Sequence, residues 1–195
     1  MVSRNRTATS SRPLQQSSVN PVQSFLSSPL HDLGQVATGA ISRSTDQSLT
    51  SGTSTKVLFD TIDWESGVIA DLTNDRLTVK ESGIYIISGM VKFEPNSTGD
   101  RELLLAINNG AGSTATLCAQ SSQSVAVGFG SHFLTVTTQM VMSPSGAAPN
   151  YTYVEMYARQ TSGIALNIEV STVQSRPRLM MTKLADFSQI GNLVV

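Results

Sequence analysis

An all-β sandwich is the fold class this 195-residue sequence predicts. Three observations predict it. From residue 55 onward, short runs rich in β-branched and aromatic residues recur. Turn signals built from Gly, Asn, Pro and Ser separate them. No stretch sustains a helical period of 3.6.

Taken in order, Lys56–Phe59 opens the set and Arg76–Val79 is a short alternating run. Glu81-Ser82-Gly83 turns the chain into Ile84–Phe93 (IYIISGMVKF), a long strand signal. Residues 95–100 read as a loop. Glu102–Ile107 (ELLLAI) has helical propensity, but its shortness and flanking turns favour a strand. Asn108-Asn109-Gly110 is a turn, and Thr114–Ala119 a strand. His132–Met142 (HFLTVTTQMVM) is long and alternating. After a Pro/Gly/Ala loop at 143–150 come Tyr151–Arg159, Ile164–Val170 and Leu179–Leu184. Strands at such spacing, with turns between them, mean a sandwich or barrel.

Composition divides the chain into a Ser/Thr-rich extended arm (1–54), a sandwich (55–185) and a tail (186–195). The arm carries Pro13, Pro21 and Pro29, and its apolar residues follow no period. Alone it is expected to be disordered. It orders against a neighbour or folds back on its own domain. Phe25, Leu26, Leu30 and Leu33 are its candidate anchors. The tail (DFSQIGNLVV) is unusually apolar for a terminus and is expected to pack on the domain or on a partner.

Charged residues make up 14% and the net charge is -1. That argues against nucleic-acid binding by the whole chain and against long-range steering. One cysteine, Cys118, excludes an intrachain disulfide. No apolar run has the length of a membrane span or of a signal-peptide core. A chain made in a reducing cytoplasm is the expectation.

The segment Asp75–Phe93 (DRLTVKESGIYIISGMVKF), preceded by KVLF at 56–59 and VIAD at 68–71, resembles the tumour necrosis factor and complement globular-head superfamily. Ser82-Gly83-Ile84-Tyr85 matches its Gly-Ile-Tyr element. Leu103–Asn109 matches the strand ending in an Asn-Gly turn, Tyr153–Ile168 the late hairpin, and Leu179–Leu184 the closing strand. The Gly-Asp element that usually precedes the late strand is missing. The resemblance implies a jelly-roll sandwich and a homotrimer, and similar domains cap many phage virion proteins.

Candidate sites are few. His31, His132 and Cys118 stand in no recognisable nucleophilic arrangement, so no enzyme is expected. Asp60, Asp63, Glu65, Asp71 and Asp75 are the weak metal candidates, but their spacing fits no defined calcium loop. No cofactor is expected. Arg4, Arg6, Arg12 and Arg43 suit contact with an acidic protein face better than with nucleic acid. Asn5, Asn96 and Asn150 begin sequons that read as turn chemistry. Tyr85, Tyr151, Tyr153 and Tyr157 divide between core and threefold interface, with the last three on one face of their strand. Trp64 stands beside acidic residues in what reads as a loop, as an interface anchor or a lid over the sandwich end.

The functional expectation is a structural virion protein: a homotrimeric bacteriophage capsid decoration (cement) protein. Its arm, through Arg4, Arg6, Arg12, Phe25, Leu26, Leu30 and Leu33, would meet the major capsid protein or another virion protein. Neither nucleic acid nor membrane is an expected partner. The head of a phage fibre or spike is the alternative, with loops 94–101, 108–113 and 143–150 as its binding surface. A secreted trimeric ligand is a third reading.

Overall fold

The computed structural model describes residues 36–67, 69–108, 116–125, 131–144 and 152–186. The expected contacts in the arm (Arg4, Arg6, Arg12, Phe25, Leu26, Leu30, Leu33), His31, Tyr151 and the tail beyond Asp186 lie outside these residues.

Among the described residues, thirteen strands form two antiparallel sheets. The first sheet contains β1 (Thr38–Ser42), β2 (Gln47–Leu49), β4 (Thr61–Ser66), β7 (Gly83–Phe93), β10 (His132–Met142), β12 (Leu166–Ile168) and β13 (Arg178–Ala185). Its main run is β10-β7-β13-β1-β4, because β7 pairs along one edge with β10 and along the other with β13. The second sheet contains β3 (Thr55–Lys56), β5 (Ala70–Asp71), β6 (Arg76–Thr78), β8 (Asp100–Asn108), β9 (Thr116–Ser124) and β11 (Tyr153–Gln160), in the order β5-β6-β11-β8-β9 with β3 also on β11. A 3₁₀ turn, Val173–Ser175, is closed by reciprocal hydrogen bonds between Thr172 and Ser175. Among the described residues no helix is long and apolar enough to cross a membrane.

Alternation in β7 explains the sandwich. Tyr85, Ile87, Val91 and Phe93 point inward and are fully buried, while Ile84, Ile86, Ser88, Met90 and Lys92 line the outer face. Facing them from the second sheet are Leu77, Leu103, Leu105, Val154 and Met156. Gly89 stands where the sheets come closest. A Cβ there would lie 2.8 Å from Met156 Sδ and 3.0 Å from Leu105 Cδ2. The all-β jelly-roll reading holds.

The sandwich starts earlier than the boundary at 54/55. The chain divides after Gly34, and β1 and β2 are integral strands. β1 lies between β13 and β4, and β2 pairs with β12. The sequence TGAIS has no alternation because Ala40 and Ser42 on its outer side are as buried as Ile41. Arg43 therefore belongs to a turn of the sandwich, where it donates to the carbonyl of Asp46 (3.2 Å). Two further expectations change. TIDWES, which by composition reads as a loop, is edge strand β4, so Trp64 sits on a strand. β9 also runs on to Ser124 through a polar stretch.

The two ends of the sandwich differ. At one, the base, β7 begins, β13 ends and β1 begins, with the Lys183 amide donating to the carbonyl of Ala37 (2.9 Å). At the other, the tip, the 94–99 turn joins β7 to β8. Fully buried Arg101 fastens that turn, its guanidinium donating to the carbonyls of Asn96 (3.2 Å), Thr98 (3.0 Å) and Asp100 (3.0 Å). Asn96 Oδ1 accepts from the Thr98 amide (2.9 Å), which is the turn chemistry expected of that sequon. Asn108 and Ser143, which flank the other two loops assigned to a receptor-binding surface, lie at the base. These flanking residues do not share an end with residues 94–99; the loops beyond them, 109–113 and 145–150, lie outside the described residues.

Candidate assembly surface

The outer faces of the two sheets have different chemistry. On the first sheet, cross-strand rows can be read from the register. One row is Gln139, Ile86, Thr182 and Thr38; the next is Thr137, Ser88, Met180, Ala40 and Trp64. Short hydroxyls pair with one another, Thr38 with Thr182 at 2.8 Å and Thr137 with Ser88 at 3.0 Å. Ile84, Ile86, Met90 and Met180 lie among them, and Phe133 (53% exposed), Val141 (54%), Leu184 (53%) and Trp64 (45%) stand around them. The charges that border this face are neutralised. Arg178 is held by Asp63 at 2.7 Å beside β4, and Lys92 by Glu169 at 2.7 Å near the tip.

One rim of the sandwich continues this surface. It is formed by the edge strands β9 and β10, which carry no Asp, Glu, Lys or Arg. Among the described residues each pairs with one neighbour only. Exposed sheet edges are usually protected by charges or proline; this pair has neither. A bulge at Cys118 breaks β9, and its thiol donates to the Leu105 carbonyl at 3.1 Å. Burial pushes that thiol up.

The second sheet's outer face is ionic. Arg76 stacks over Tyr153 (4.2 Å to the ring centre) and pairs with Asp71 (2.8 Å). Lys56 pairs with Glu155 (2.5 Å) and donates to the Asn74 carbonyl (2.6 Å). The Tyr157 hydroxyl donates to the same Glu155 (2.8 Å), and Arg159 pairs with Glu102 (3.0 Å).

Of the tyrosines expected at an interface, Tyr151 lies outside the described residues and the other three fall in two places. Tyr85 is fully buried in the chain's own core, its hydroxyl donating to the Glu81 carbonyl (2.8 Å), so it cannot reach a neighbouring subunit. Tyr153 and Tyr157 do share a face, as alternation implies, but it is the ion-paired one. The apolar face escapes sequence reasoning because its residues come from strands distant in sequence, mixed with Ser and Thr. The charge-free run through β9 and β10 is its one legible signal.

The weak metal candidates are not brought together either. Asp60 accepts from the amide (2.9 Å) and hydroxyl (2.9 Å) of Ser44 and from the Thr61 hydroxyl (2.8 Å). Burial pushes it up, but these hydrogen bonds outweigh burial and hold it below its ordinary value. Asp63 accepts from Ser42 (2.8 Å) and pairs with Arg178. Asp71 is tied to Arg76 and Asn74, Asp75 accepts from the Phe59 amide (2.6 Å), and Glu65 from the Ala70 amide (2.6 Å). Among the described residues no group of three His, Cys, Asp or Glu side chains could hold a metal ion. His132 lies at the tip and Cys118 towards the base, so they form no nucleophile and base pair.

No family model matches this sequence, and no curated protein matches it. Solved structures do. Eiger TNF from S. frugiperda superposes with a TM-score of 0.55 at 12% identity, over 78% of this chain and 95% of that one. Murine APRIL at pH 5.0 gives 0.56 at 13% identity, over 77% of this chain and 100% of that one. The same protein at pH 8.0 gives 0.52 at 13% identity, over the same shares. The fold is a tumour necrosis factor-like jelly roll.

Proposed function

We propose that this chain is a self-associating structural subunit, a homotrimeric bacteriophage capsid decoration protein that acts through its contacts and not through catalysis. The observation that carries the self-association is the surface made by the first sheet's outer face, where the charges of Lys92 and Arg178 are ion-paired, and the charge-free β9/β10 rim. Large exposed apolar patches mark interaction sites, and a face that differs from the rim it meets makes a head-to-tail contact, which closes into a ring where the rotation between copies divides a full turn. The resemblance supports three as the ring's number.

The virion role rests on the Ser/Thr-rich arm, which is joined at the base and carries Arg4, Arg6, Arg12, Phe25, Leu26, Leu30 and Leu33. Three arms on one trimer would bind a capsid lattice together, each raising the effective concentration of the others. The major capsid protein or another virion protein is the partner, the virion the location, and neither nucleic acid nor membrane is involved.

Two measurements test this. Light scattering in solution is expected to give three times 20.8 kDa; a monomer at micromolar concentration would end the trimer reading. Removing residues 1–34, and not 1–50, spares β1 and β2. The shortened trimer is expected to stay folded by circular dichroism yet no longer sediment with purified phage capsids. Full capsid binding without the arm would overturn the decoration reading. A trimer that ignores capsids but adsorbs to host cells through residues 94–99 would be a fibre head. One that binds a cell-surface receptor would be a secreted trimeric ligand, with which the fold is compatible.

A further inference from the structure

The inner side of the sandwich turns polar at the tip. Around Gly89 of β7 the facing side chains are Leu105 of β8 and Val136 of β10. The same inward rows run on along each strand towards the tip. They end in Phe93 on β7, Arg101 on β8 and His132 on β10. Phe93 is level with His132 in the first sheet, and the Arg101 guanidinium lies 5.9 Å from the Phe93 ring centre. Arg101 and His132 therefore flank one ring from opposite sheets.

Both are shut off from solvent, at 0% and 8% exposure. Among the described residues, neither Arg101 Nε nor His132 Nε2 has a hydrogen-bond partner. A buried donor left unpaired is costly, and a buried charge more so. The three carbonyls that hold Arg101 satisfy other N–H groups and do not cancel its charge. Burial pushes the guanidinium down, and Asp100 offsets that only in part. The carboxylates of the tip are engaged elsewhere. Asp100 accepts from the Ser124 hydroxyl (2.6 Å), Glu94 from the Asn167 amide (3.1 Å), and Glu169 pairs with Lys92 (2.7 Å). Gln160, level with Arg101 on β11, spends its side chain on Leu49, Ser162 and Ile164.

We propose that the tip holds one small monovalent anion of halide size between Arg101 Nε and His132 Nε2. One such ion accepts from both orphaned donors and supplies the counter-charge that no side chain provides. A site closed to solvent suits a spherical, weakly hydrated ion better than a phosphate or a carboxylate on a larger molecule. The bound ion ties β8 to β10 across the sandwich and stiffens the 94–99 turn that Arg101 fastens. This inference stands apart from the trimer: it holds or fails in a monomer as well.

Bromide is the probe. Crystals of the full-length chain soaked in sodium bromide are expected to show an anomalous peak touching both nitrogens. In solution, replacing about 100 mM gluconate by bromide at constant ionic strength is expected to raise the folding equilibrium constant about tenfold, with saturation, by urea titration. His132→Phe keeps a ring of similar bulk without the Nε2 donor and is expected to lose that response. An equal response in His132→Phe, or a response without saturation, overturns the proposal. So does the lack of an anomalous peak between the two side chains, which decides the matter in the unaltered chain should the variant not fold. A peak present only at molar bromide is an adventitious ion only, and overturns it as well.

Discussion

The two sheets have the same inner face and opposite outer ones. Inside, both present alternating Leu, Ile, Val and Met to a shared core. Outside, the second sheet carries Lys56, Glu155, Arg76, Asp71, Arg159 and Glu102 in pairs, with tyrosines stacked or hydrogen-bonded among them. Long charged side chains of that kind keep a face in water. The first sheet's face instead uses mostly Thr, Ser, Ala, Ile and Met, and its hydroxyls pair with one another, Thr38 with Thr182 and Thr137 with Ser88. Burial of such a face against another copy costs less desolvation than burial of the ionic one, where each ion taken from water costs several kcal/mol that its pairing only partly offsets. On the proposed reading, the difference separates a face for contact from a face for solvent.

Placing one charge on each face tests this most directly. Ile86→Lys puts an ammonium in the middle of the apolar rows and is expected to weaken self-association more than 100-fold. Leu104→Lys, on β8 between β11 and β9, adds the same charge to the ionic face and is expected to leave the assembly mass unchanged. Sedimentation velocity over a concentration series reads both. Equal loss in the two variants would remove the distinction.

The shared inner side predicts a different outcome, a loss of stability. Gly89 faces Met156 and Leu105 with no room for a side chain. Gly89→Val is expected to destabilise the monomer by about 2 kcal/mol through overpacking. The Met156 thioether can yield, which keeps the cost from being larger. The urea midpoint measures it. Because the change is internal, assembly at low denaturant should persist where Ile86→Lys abolishes it.

How much of this is legible in the sequence depends on whether a strand is half-buried. β7, β8, β10, β11 and β13 alternate because one side meets the core, and their pattern places their bounds to within two residues. β1 is not legible, since its outer Ala40 and Ser42 are as buried as its inner Ile41, and a Cβ on Gly39 would lie only 3.0 Å from the Ile69 side chain. β4 looks like an acidic loop, because a strand at the sheet edge can expose most of its length. The mixed hydroxyl and apolar face of the first sheet is a property of register. Ile86, Met180 and Ala40 become neighbours only when β7, β13 and β1 align, and no local pattern encodes that. Tyrosine is the more conspicuous signal, and Tyr153 and Tyr157 lie on the other sheet.

The smallest expected effect separates the faces by titration. Tyr157 on the ionic face is pushed up by burial and by its hydrogen bond to the Glu155 carboxylate. Tyr85 and Cys118 are pushed up chiefly by burial. An acid whose folded value is raised stays protonated in the folded chain while the unfolded chain ionises. Its contribution is complete below the unfolded value, near 9.0 for the thiol and 10.0 for the phenols, and is lost as pH climbs from there towards the folded value. Stability should therefore fall above pH 9 and faster above pH 10, by at most ~1.4 kcal/mol per pH unit for each group. Tyr157→Phe removes one of these groups and should flatten the alkaline limb of a urea-midpoint series. Thr137→Val, on the first sheet's face, removes no titrating group and should leave the limb as steep as before. A Tyr157→Phe limb as steep as that of the unaltered chain would show that the phenol does not stay neutral beside Glu155.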